Sequence, residues 1–391
     1  MISPSTISEH IENEKIGFLP NGESIVLRHG LATNIPAAIE PIETMEQGRI
    51  TDGNKRFNPG RVSLERCDSM FHTIISLDNL FSAWSEFRKT KTNRSDILKF
   101  ELNLEDELFN LHEHLKNGLY CHGKYFSFYI NDPKRRHIHK ACVRDRVLHH
   151  AIVRVIEPLF DNGFINDSWS CRIGKGTHRA VDRLEALAWR LSRNDTRTVW
   201  AMKLDIRKFF ASIDHIVLFN IISKKICDLD LLNLIKKIIN SFDQGLPLGN
   251  ITSQLFANVY LNQLDQFVKH QLKVKDYLRY ADDFILLSNN RDSLVQLVPI
   301  IELFLKSQLK LDLHQDKIII RKYHSGIDFL GYVSFPHHRI IRTKSKHRLL
   351  KKVEPRNIAS YMGVLQHCRS RGVQKEVQEK ILTMSTGATS F

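Results

Sequence analysis

The sequence predicts an α+β fold in which antiparallel strands are backed by helices. Strand-forming apolar residues flank an acidic pair in the run Leu278–Leu287, a pattern typical of a β-hairpin. Alternation along a strand would send Asp282 and Asp283 to opposite faces, so we expect the pair at the turn of that hairpin. Between residues 80 and 115, leucine and aromatic residues recur at spacings of three, four and seven, which indicates amphipathic helices.

The other elements follow from the same patterns and alternate along the chain. Strands are expected within residues 124–147, 198–206, 277–287 and 317–334. Helices are expected at residues 147–160, 178–193, 228–242, 252–271, 292–309 and 343–385. Residues 1–70 fit no pattern that we can name, although short apolar runs such as Ser24–Leu27 interrupt their polar composition.

Composition favours a polyanionic partner. The 391 residues contain 57 Lys and Arg against 43 Asp and Glu, a formal net charge of +14, and such a balance attracts nucleic acid. Basic residues gather at 339–352, where phosphate contacts would make binding sensitive to salt. No run approaches the roughly 18 apolar residues of a membrane span, so we expect none. The six scattered cysteines lack the spacing of a disulfide framework, which fits a reducing cytoplasm.

The acidic pair also predicts a metal site. Two carboxylates inside a buried hairpin are costly unless a cation lies beside them, and Mg²⁺ is commonly held by one or two carboxylates together with substrate phosphates. Asp205 ends the apolar run of the strand expected at 198–206. A two-metal phosphoryl-transfer site needs carboxylates from separate strands. Asp205 and Asp282 could bridge two Mg²⁺ ions, for which Mn²⁺ could substitute, and the carbonyl of Ile206 could complete a shell. Each aspartate taken alone would also fit a solvated turn or a helix cap.

Ordered motifs extend this pattern over residues 76–391, and with them the chain resembles a reverse transcriptase. The motifs are Pro133–Arg136 with Arg144–His150, Ser168–His178, Asp205–Asp214, Gly245–Gln254, Tyr280–Asp283, Leu313–Lys317, Phe329–Tyr332 and Ser360–Cys368. The resemblance implies a right-hand polymerase with an antiparallel palm sheet backed by helices. It places an N-terminal extension of unknown role at 1–75, fingers at 76–197, a palm with an interleaved fingers segment at 198–335, and a thumb at 336–391.

The loop at Gly245–Gln254 narrows the resemblance. The family loop usually reads QGxxxSP, whereas this chain has Leu248 in place of the Gln and ends in Ser253 and Gln254. That form looks like the bacterial and phage enzymes of diversity-generating retroelements and their defence-associated relatives. An apolar Leu248 cannot hydrogen-bond the primer–nucleotide pair. Discrimination between correct and incorrect nucleotides by their geometry should therefore weaken. The resemblance accordingly implies that copying could be error-prone.

The resemblance also assigns roles to single residues. The catalytic group is Asp205, Asp282, Asp283 and Lys317, of which the lysine would protonate departing pyrophosphate. Nucleotide binding is expected from Arg135, Arg136, Arg172, Phe210, Leu248 and Gly249. Template and primer binding is expected from Lys175, Gln254, Tyr280, Phe329, Leu330, Gly331, Lys344, Lys346 and Arg348.

Residue chemistry supports several of these roles and leaves simpler interpretations open. Guanidinium groups bind phosphate oxygens in bidentate fashion, which suits Arg135 and Arg136 at a fingertip, although a basic turn is often merely solvated. In the resembling family an aromatic at the position of Phe210 blocks a ribose 2′-hydroxyl, so DNA is the expected product, but the same ring could belong to the core. Lys317 could equally be a surface lysine.

The expected partners are an RNA template, a DNA product and dNTPs. The template would be a dedicated noncoding RNA or template RNA. An accessory protein or a homo-oligomer is also compatible with the sequence, and no membrane is expected. Two biological contexts remain open: antiphage defence and a diversity-generating retroelement. Two other functions remain open as well: template-independent or protein-primed DNA synthesis, and a catalytically idle scaffold that binds nucleic acid.

Overall fold

The computed structural model describes residues 14–18, 24–28, 69–89, 91–131 and 134–387, with the backbone alone at 14–18, 24–28, 69 and 385–387. The chain divides into two units, Met1–Asn54 and Lys55–Phe391. In the first unit, β1 (Glu14–Phe18) pairs antiparallel with β2 (Ser24–Arg28). The apolar run at Ser24 thus forms a strand, while most of the predicted extension lies outside the described residues.

A group of helices opens the described part of the second unit. They are α1 (Ser69–Ile75), α2 (Leu77–Arg88), α3 (Ser95–Leu102), α4 (Leu104–Lys116) and α5 (Val143–Asp161). Ser76 caps α2, since its side chain accepts a hydrogen bond from the amide of Asn79. Ile74 and Ile75 of α1 are buried in the same core as α2 and α5. The predicted boundary at residue 75 therefore falls inside a packed group of helices.

A two-stranded hairpin, β3 (Phe126–Ile130) and β4 (Arg136–Lys140), projects between α4 and α5. The prediction of strands up to residue 147 was wrong beyond this hairpin, because α5 already begins at Val143. Cys142 has the extended backbone of a helix cap, and Val147, Leu148 and Ala151 are buried at helical spacing. Strand-forming residue types near Val143 were overridden by this packing.

The central sheet has four antiparallel strands in the order β6-β7-β5-β8. They are β5 (Trp200–Asp205), β6 (Tyr277–Tyr280), β7 (Asp283–Ser288) and β8 (Ile319–Lys322). Side chains alternate between two cores: Met202 and Phe284 face a core shared with α5, whereas Ala201 and Ile285 face the helix α6 (Thr177–Ser192). The sheet is therefore covered on both faces.

Five helices follow or interleave with these strands. They are α7 (Phe209–Ser212), α8 (His215–Ser223), α9 (Leu229–Ile239), α10 (Ile251–Gln266) and α11 (Arg291–Leu309). A π-helical turn, Phe267–Gln271, extends α10, so the helix predicted at 252–271 is confirmed with a changed last turn. None of the described helices is both long and apolar enough to cross a bilayer.

A second, three-stranded sheet leads to the C-terminal helices. It contains β9 (Ile327–Phe329), β10 (Tyr332–Ser334) and β11 (Arg339–Ile341) in the order β11-β10-β9. The last helices are α12 (Thr343–Lys352), α13 (Ile358–Leu365) and α14 (Arg371–Gly387), which share a separate small core around Leu349 and Leu365. The described chain thus has the predicted α+β architecture, with an antiparallel sheet backed by helices.

Candidate active site

Three carboxylates meet at one end of the central sheet. Asp205 is the last residue of β5 and is buried. It lies directly opposite Asp283, the first residue of β7, in the antiparallel register. Asp282 occupies the two-residue turn between β6 and β7, where Ala281 adopts a left-handed backbone with φ of 53°. The hairpin predicted from the acidic pair is confirmed, and it brings its carboxylates beside Asp205.

Burial and mutual repulsion act on this acidic cluster. Burial, together with the charge of Asp205, raises the pKa of Asp282 to about 6. Burial also raises the pKa of Asp283, and the charge of Lys203 partly offsets that rise. Lys203 Nζ lies 3.5 Å from Asp283 Oδ1, and Lys317 forms an ion pair with Asp205. Two lysines therefore supply the positive charge that the clustered carboxylates require.

The donor set fits Mg²⁺, since it consists of carboxylate oxygens with one backbone carbonyl beside them. Ile206 and Leu313 form an isolated antiparallel bridge, whose bonds run from Arg207 N to Asp312 O and from His314 N to Asp205 O. Neither bond uses the carbonyl of Ile206. Within the described ranges no three His, Cys, Asp or Glu side chains are already arranged around a common ion position. Lys317 pairs with Oδ2 of Asp205, so an ion at that oxygen would compete with the lysine.

A buried arginine that the sequence patterns did not single out supports the acidic turn. Arg279 is fully buried in β6, and its guanidinium holds Asp265 through Nε at 2.8 Å and Nη2 at 2.6 Å. Its Nη1 donates to the carbonyl of Ala281 at 3.1 Å, and Tyr277 donates its hydroxyl to Asp265 at 2.6 Å. A charged residue between apolar strand neighbours was the available signal.

The loop beneath the site is fixed by close backbone packing. Leu246 N donates to the carbonyl of Phe210 at 2.7 Å. Gly245 has φ of 68°, and a Cβ there would lie 2.2 Å from that same carbonyl oxygen. The ring of Phe210 is partly buried against the main core, so its core interpretation holds. Leu248 is half-buried, and its carbonyl accepts a hydrogen bond from His139 of β4 at 3.0 Å.

A cavity of about 450 Å³ lies between the β3–β4 hairpin, helices α2 and α5, and the start of α10. Gly249 and Gln254 line it, together with the cationic side chains of Lys91, Arg94, Lys140 and Arg146. Among the described side chains, His149 Nδ1, Asn250 Oδ1 and Arg146 Nε are buried without a hydrogen-bond partner. All three belong to residues that line the cavity, and two of its cations, Lys140 and Arg146, share the carboxylate of Asp96.

The two fingertip arginines lie on different faces of their hairpin. Arg136 begins β4 and, by alternation, shares its face with Ile138, which lines the cavity. Arg135 instead stacks over the ring of Tyr129, with 4.2 Å between the guanidinium carbon and the ring centroid. This arrangement does not support the prediction that both arginines act on one nucleotide. Pro133, the first residue of the predicted motif, lies outside the described residues.

Two further predicted contacts are engaged within the protein itself. Arg172 pairs with Asp161 at 2.5 Å and donates to the carbonyls of Ile165 and Ser168. Lys175 donates to both oxygens of Asn166 at 2.8 Å. Both residues hold the loop before α6 through these hydrogen bonds, and their binding of nucleotide or template stays a prediction.

Four of the residues predicted to bind template or primer lie in the strands and turns of the two sheets. Phe329 is fully buried, with its ring in the core that the sheet shares with α6, and its role in primer binding stays a prediction. Leu330 and Gly331 form the two-residue turn between β9 and β10, with φ of 51° and 95°, as type I′ hairpins require. Tyr280 lies 3.2 Å from Thr177 through their hydroxyl groups.

The remaining three predicted residues lie on α12. Lys344 is exposed, Lys346 pairs with Glu376 at 2.8 Å, and Arg348 is half-buried. This helix therefore presents positive charge at the start of the predicted thumb, as the basic run at 339–352 indicated.

The sequence matches the family model described as reverse transcriptase (RNA-dependent DNA polymerase) over residues 131–334. That match covers half of the chain, and the chain belongs to this family of nucleotidyltransferases. The matched range contains the central sheet, all three carboxylates, Arg136 and the loop at Gly245–Gln254.

Several curated proteins are similar to the chain. Protein YkfC of Escherichia coli strain K12 is 24% identical over 297 residues, covering 65% of this chain and 76% of YkfC. The group II intron-encoded protein LtrA of Lactococcus lactis subsp. cremoris is 23% identical over 303 residues, covering 58% of this chain and 49% of LtrA. The retron Ec73 reverse transcriptase of Escherichia coli is 34% identical over 108 residues, covering 24% and 34% of the two chains. The chain thus spans about three quarters of YkfC and about half of LtrA.

Among solved structures, telomerase from Candida albicans in complex with a TWJ fragment of telomeric RNA is 11% identical with a TM-score of 0.46, covering 70% of this chain and 57% of the telomerase chain. The apo telomerase from Candida tropicalis has a TM-score of 0.42 at 12% identity, covering 57% and 49%.

Proposed function

We propose that this chain is an RNA-directed DNA polymerase that extends a DNA strand along an RNA template. The observation that carries the proposal is the meeting of Asp205, Asp282 and Asp283 at one end of the family's central sheet. A catalytically idle scaffold would have no need for three carboxylates that repel one another, since their burial is costly. Membership of the reverse transcriptase family supports the same reading.

Two Mg²⁺ ions bound by the carboxylates would activate the 3′-hydroxyl and stabilise the leaving pyrophosphate. Asp205 and Asp282 would hold both ions, Asp283 would complete the acidic set, and the Ile206 carbonyl would lie at its edge. Lys317 is paired with Asp205; once released, its ammonium would lie where it can donate a proton to pyrophosphate. Arg136 would bind the triphosphate from the cavity face of β4.

The cavity beside α10 is proposed to receive the template strand next to the copied nucleotide. Its cations suit phosphates, and its buried polar atoms suit groups on a base. Phe210 would exclude a 2′-hydroxyl, which makes DNA the product. Leu248 provides an apolar wall where the family usually has Gln, and this substitution supports lowered fidelity.

We also propose a biological context, in which the chain acts in the bacterial cytoplasm with a dedicated RNA and is encoded by a bacterium or a phage. It would belong either to an antiphage defence system or to a diversity-generating retroelement. Similarity to bacterial intron-encoded and retron proteins supports a bacterial setting. Neighbouring genes distinguish the two contexts. A pair of variable and template repeats indicates a retroelement, whereas flanking defence genes indicate defence.

The proposal is tested by dNTP incorporation with purified protein, Mg²⁺ and an RNA template annealed to a DNA primer. Four templates that differ only in the base to be copied are compared, each with single dNTPs. The account predicts that the templating base decides which dNTP is added most rapidly. Addition that ignores the template would favour template-independent or protein-primed synthesis, and no addition with Mg²⁺ or Mn²⁺ would favour a scaffold.

A further inference from the structure

A continuous row of rings lies along one face of the β3–β4 hairpin. The rings of Tyr129 and His137 stack with centroids 4.4 Å apart and planes 9° apart. His139 follows at 4.2 Å from His137, and Phe242 at 4.8 Å from His139. Arg135 covers the outer end by stacking on Tyr129. We call these five residues the aromatic stripe.

The stripe faces away from the cavity that the proposed function uses. In the hairpin register, Tyr129 is opposite His137, whereas Phe128 is opposite Ile138. Phe128 and Ile138 line the cavity, and neighbouring residues of a strand point to opposite faces. The stripe and the cavity are therefore two separate surfaces of one hairpin.

The outer half of the stripe is open to solvent. Tyr129 is 53% exposed, and His137 and Arg135 are exposed as well. His139 and Phe242 are partly covered where the hairpin meets the loop before α10. Large rings that are ordered against one another but left uncovered by the core are characteristic of a binding surface.

The charge around the stripe points to a polyanion. Residues 124–140 contain five Lys and Arg and a single acidic residue, Asp132, which lies outside the described residues. Lys140 lines the cavity and Arg136 shares its face, so Arg135 is the cation that lies on the stripe itself. Surfaces that combine aromatic rings with positive charge bind single-stranded nucleic acid, because every base has a π-face and every link has a phosphate. Arg135 adds a cation that can itself stack on a base.

We propose that the aromatic stripe stacks bases of a single-stranded polynucleotide outside the catalytic cleft. Because Arg135 and His137 already stack on Tyr129, bases would extend the row at its exposed outer end, on Arg135 and against the exposed edges of Tyr129 and His137, with the phosphates near the guanidinium. The stacking follows from the hairpin itself. Only the source of the strand, unread template or released product, rests on the proposed function.

The test is equilibrium binding of fluorescent single strands of about 15 nucleotides, within the range of known single-strand sites, to the full chain. RNA and DNA strands are compared to distinguish the two sources. The double variant Tyr129→Leu with His137→Leu keeps apolar area but removes the two stacked rings that support Arg135, and should weaken binding by about tenfold or more. The matched double variant to Phe at both positions keeps the rings and should bind within about twofold of the unaltered protein.

Two further readouts separate this inference from folding and from catalysis. The thermal unfolding midpoint should be the same for both double variants, and the single variant Tyr129→Leu replaces the double variant if it is not. Incorporation opposite a template whose only unpaired base is the one to be copied should be unchanged. Equal binding by the Leu and Phe variants would contradict the proposed binding role of the stripe, without affecting the proposed polymerase function. If the protein binds single strands through the stripe but makes no DNA, the stripe is supported and only the proposed function is contradicted.

Discussion

At the residue scale, the acidic turn depends on one buried cation. Arg279 joins Asp265 on α10 to the carbonyl of Ala281 in the turn itself. Burial disfavours its charge, but the carboxylate of Asp265 raises the pKa of Arg279 overall. Asn258 and Ser168 also accept hydrogen bonds from this guanidinium. Positioning of Asp282 is thus tied to the helix beneath the sheet.

This network gives a prediction about stability and activity together. Arg279→Met leaves Asp265 buried without its cation and should lower the free energy of unfolding by about 3 kcal/mol or more. The double variant Arg279→Met with Asp265→Leu removes both charges, so it should be more stable than the single variant by about 1.5 kcal/mol or more. Urea unfolding measures both.

Activity decides whether Arg279 positions the turn. DNA synthesis should stay low in the double variant even though its stability partly returns, because the carbonyl of Ala281 has lost its donor. Recovery of synthesis along with stability would show that Arg279 acts on folding only. A double variant whose loss of stability equals the summed losses of Arg279→Met and Asp265→Leu measured separately would show that the two residues do not stabilise each other.

At the element scale, the loop between α9 and α10 connects the sheet to the β3–β4 hairpin. Its carbonyl at Leu248 pairs with β4, and its start at Gly245 presses on the backbone of α7. Phe210 is held by this loop at the edge of the site. A short segment therefore contacts both α7 and the hairpin.

The close approach at Gly245 gives a second prediction. Gly245→Ala combines a left-handed backbone with a Cβ placed 2.2 Å from the Phe210 carbonyl. Gly118 is the matched control, since its φ of 70° is almost the same and nothing lies within 4 Å of an added Cβ. Gly118→Ala should cost about 1 kcal/mol of folding stability, and Gly245→Ala about 2 kcal/mol more.

Chemical denaturation of the two variants measures that difference, and ribonucleotide incorporation reports its effect on Phe210. Gly245→Ala should admit ribonucleotides more readily than Gly118→Ala, because the displaced backbone carries the ring with it. Equal stability losses in the two variants would contradict the close packing described for this loop.

At the scale of the whole molecule, local patterns predicted most elements because apolar periodicity reflects the faces that each element buries. The turn at Asp282, the strand ending at Asp205 and the helix at 292–309 were predicted in this way. Tertiary packing decided the rest. The start of α5 at Val143 depends on buried neighbours, and the inward hydrogen bonds of Arg172 depend on Asp161, eleven residues earlier in the chain.

The same limit applies to the site. Charge and residue type identified the carboxylates, but not which arginine of the hairpin faces the cavity, since that depends on strand register. Phe329 was assigned to primer contact although the structure buries it. Arg279 was missed because its partner, Asp265, comes from another element. Contacts between residues of different helices and strands could not be predicted from this single sequence.

The central claim is that Asp205, Asp282 and Asp283 form the catalytic centre of an RNA-directed DNA polymerase. The most direct measurement is the single-turnover rate of correct dNTP addition by Asp205→Asn, which keeps the side-chain shape, on an RNA template with a DNA primer. The account predicts a loss of about a thousandfold, as expected when a group that stabilises transition-state charge is removed, with unchanged affinity for the template–primer. A rate within about tenfold of that of the unaltered protein would contradict this claim, because so small a loss is typical of residues that only support the metal ligands from outside.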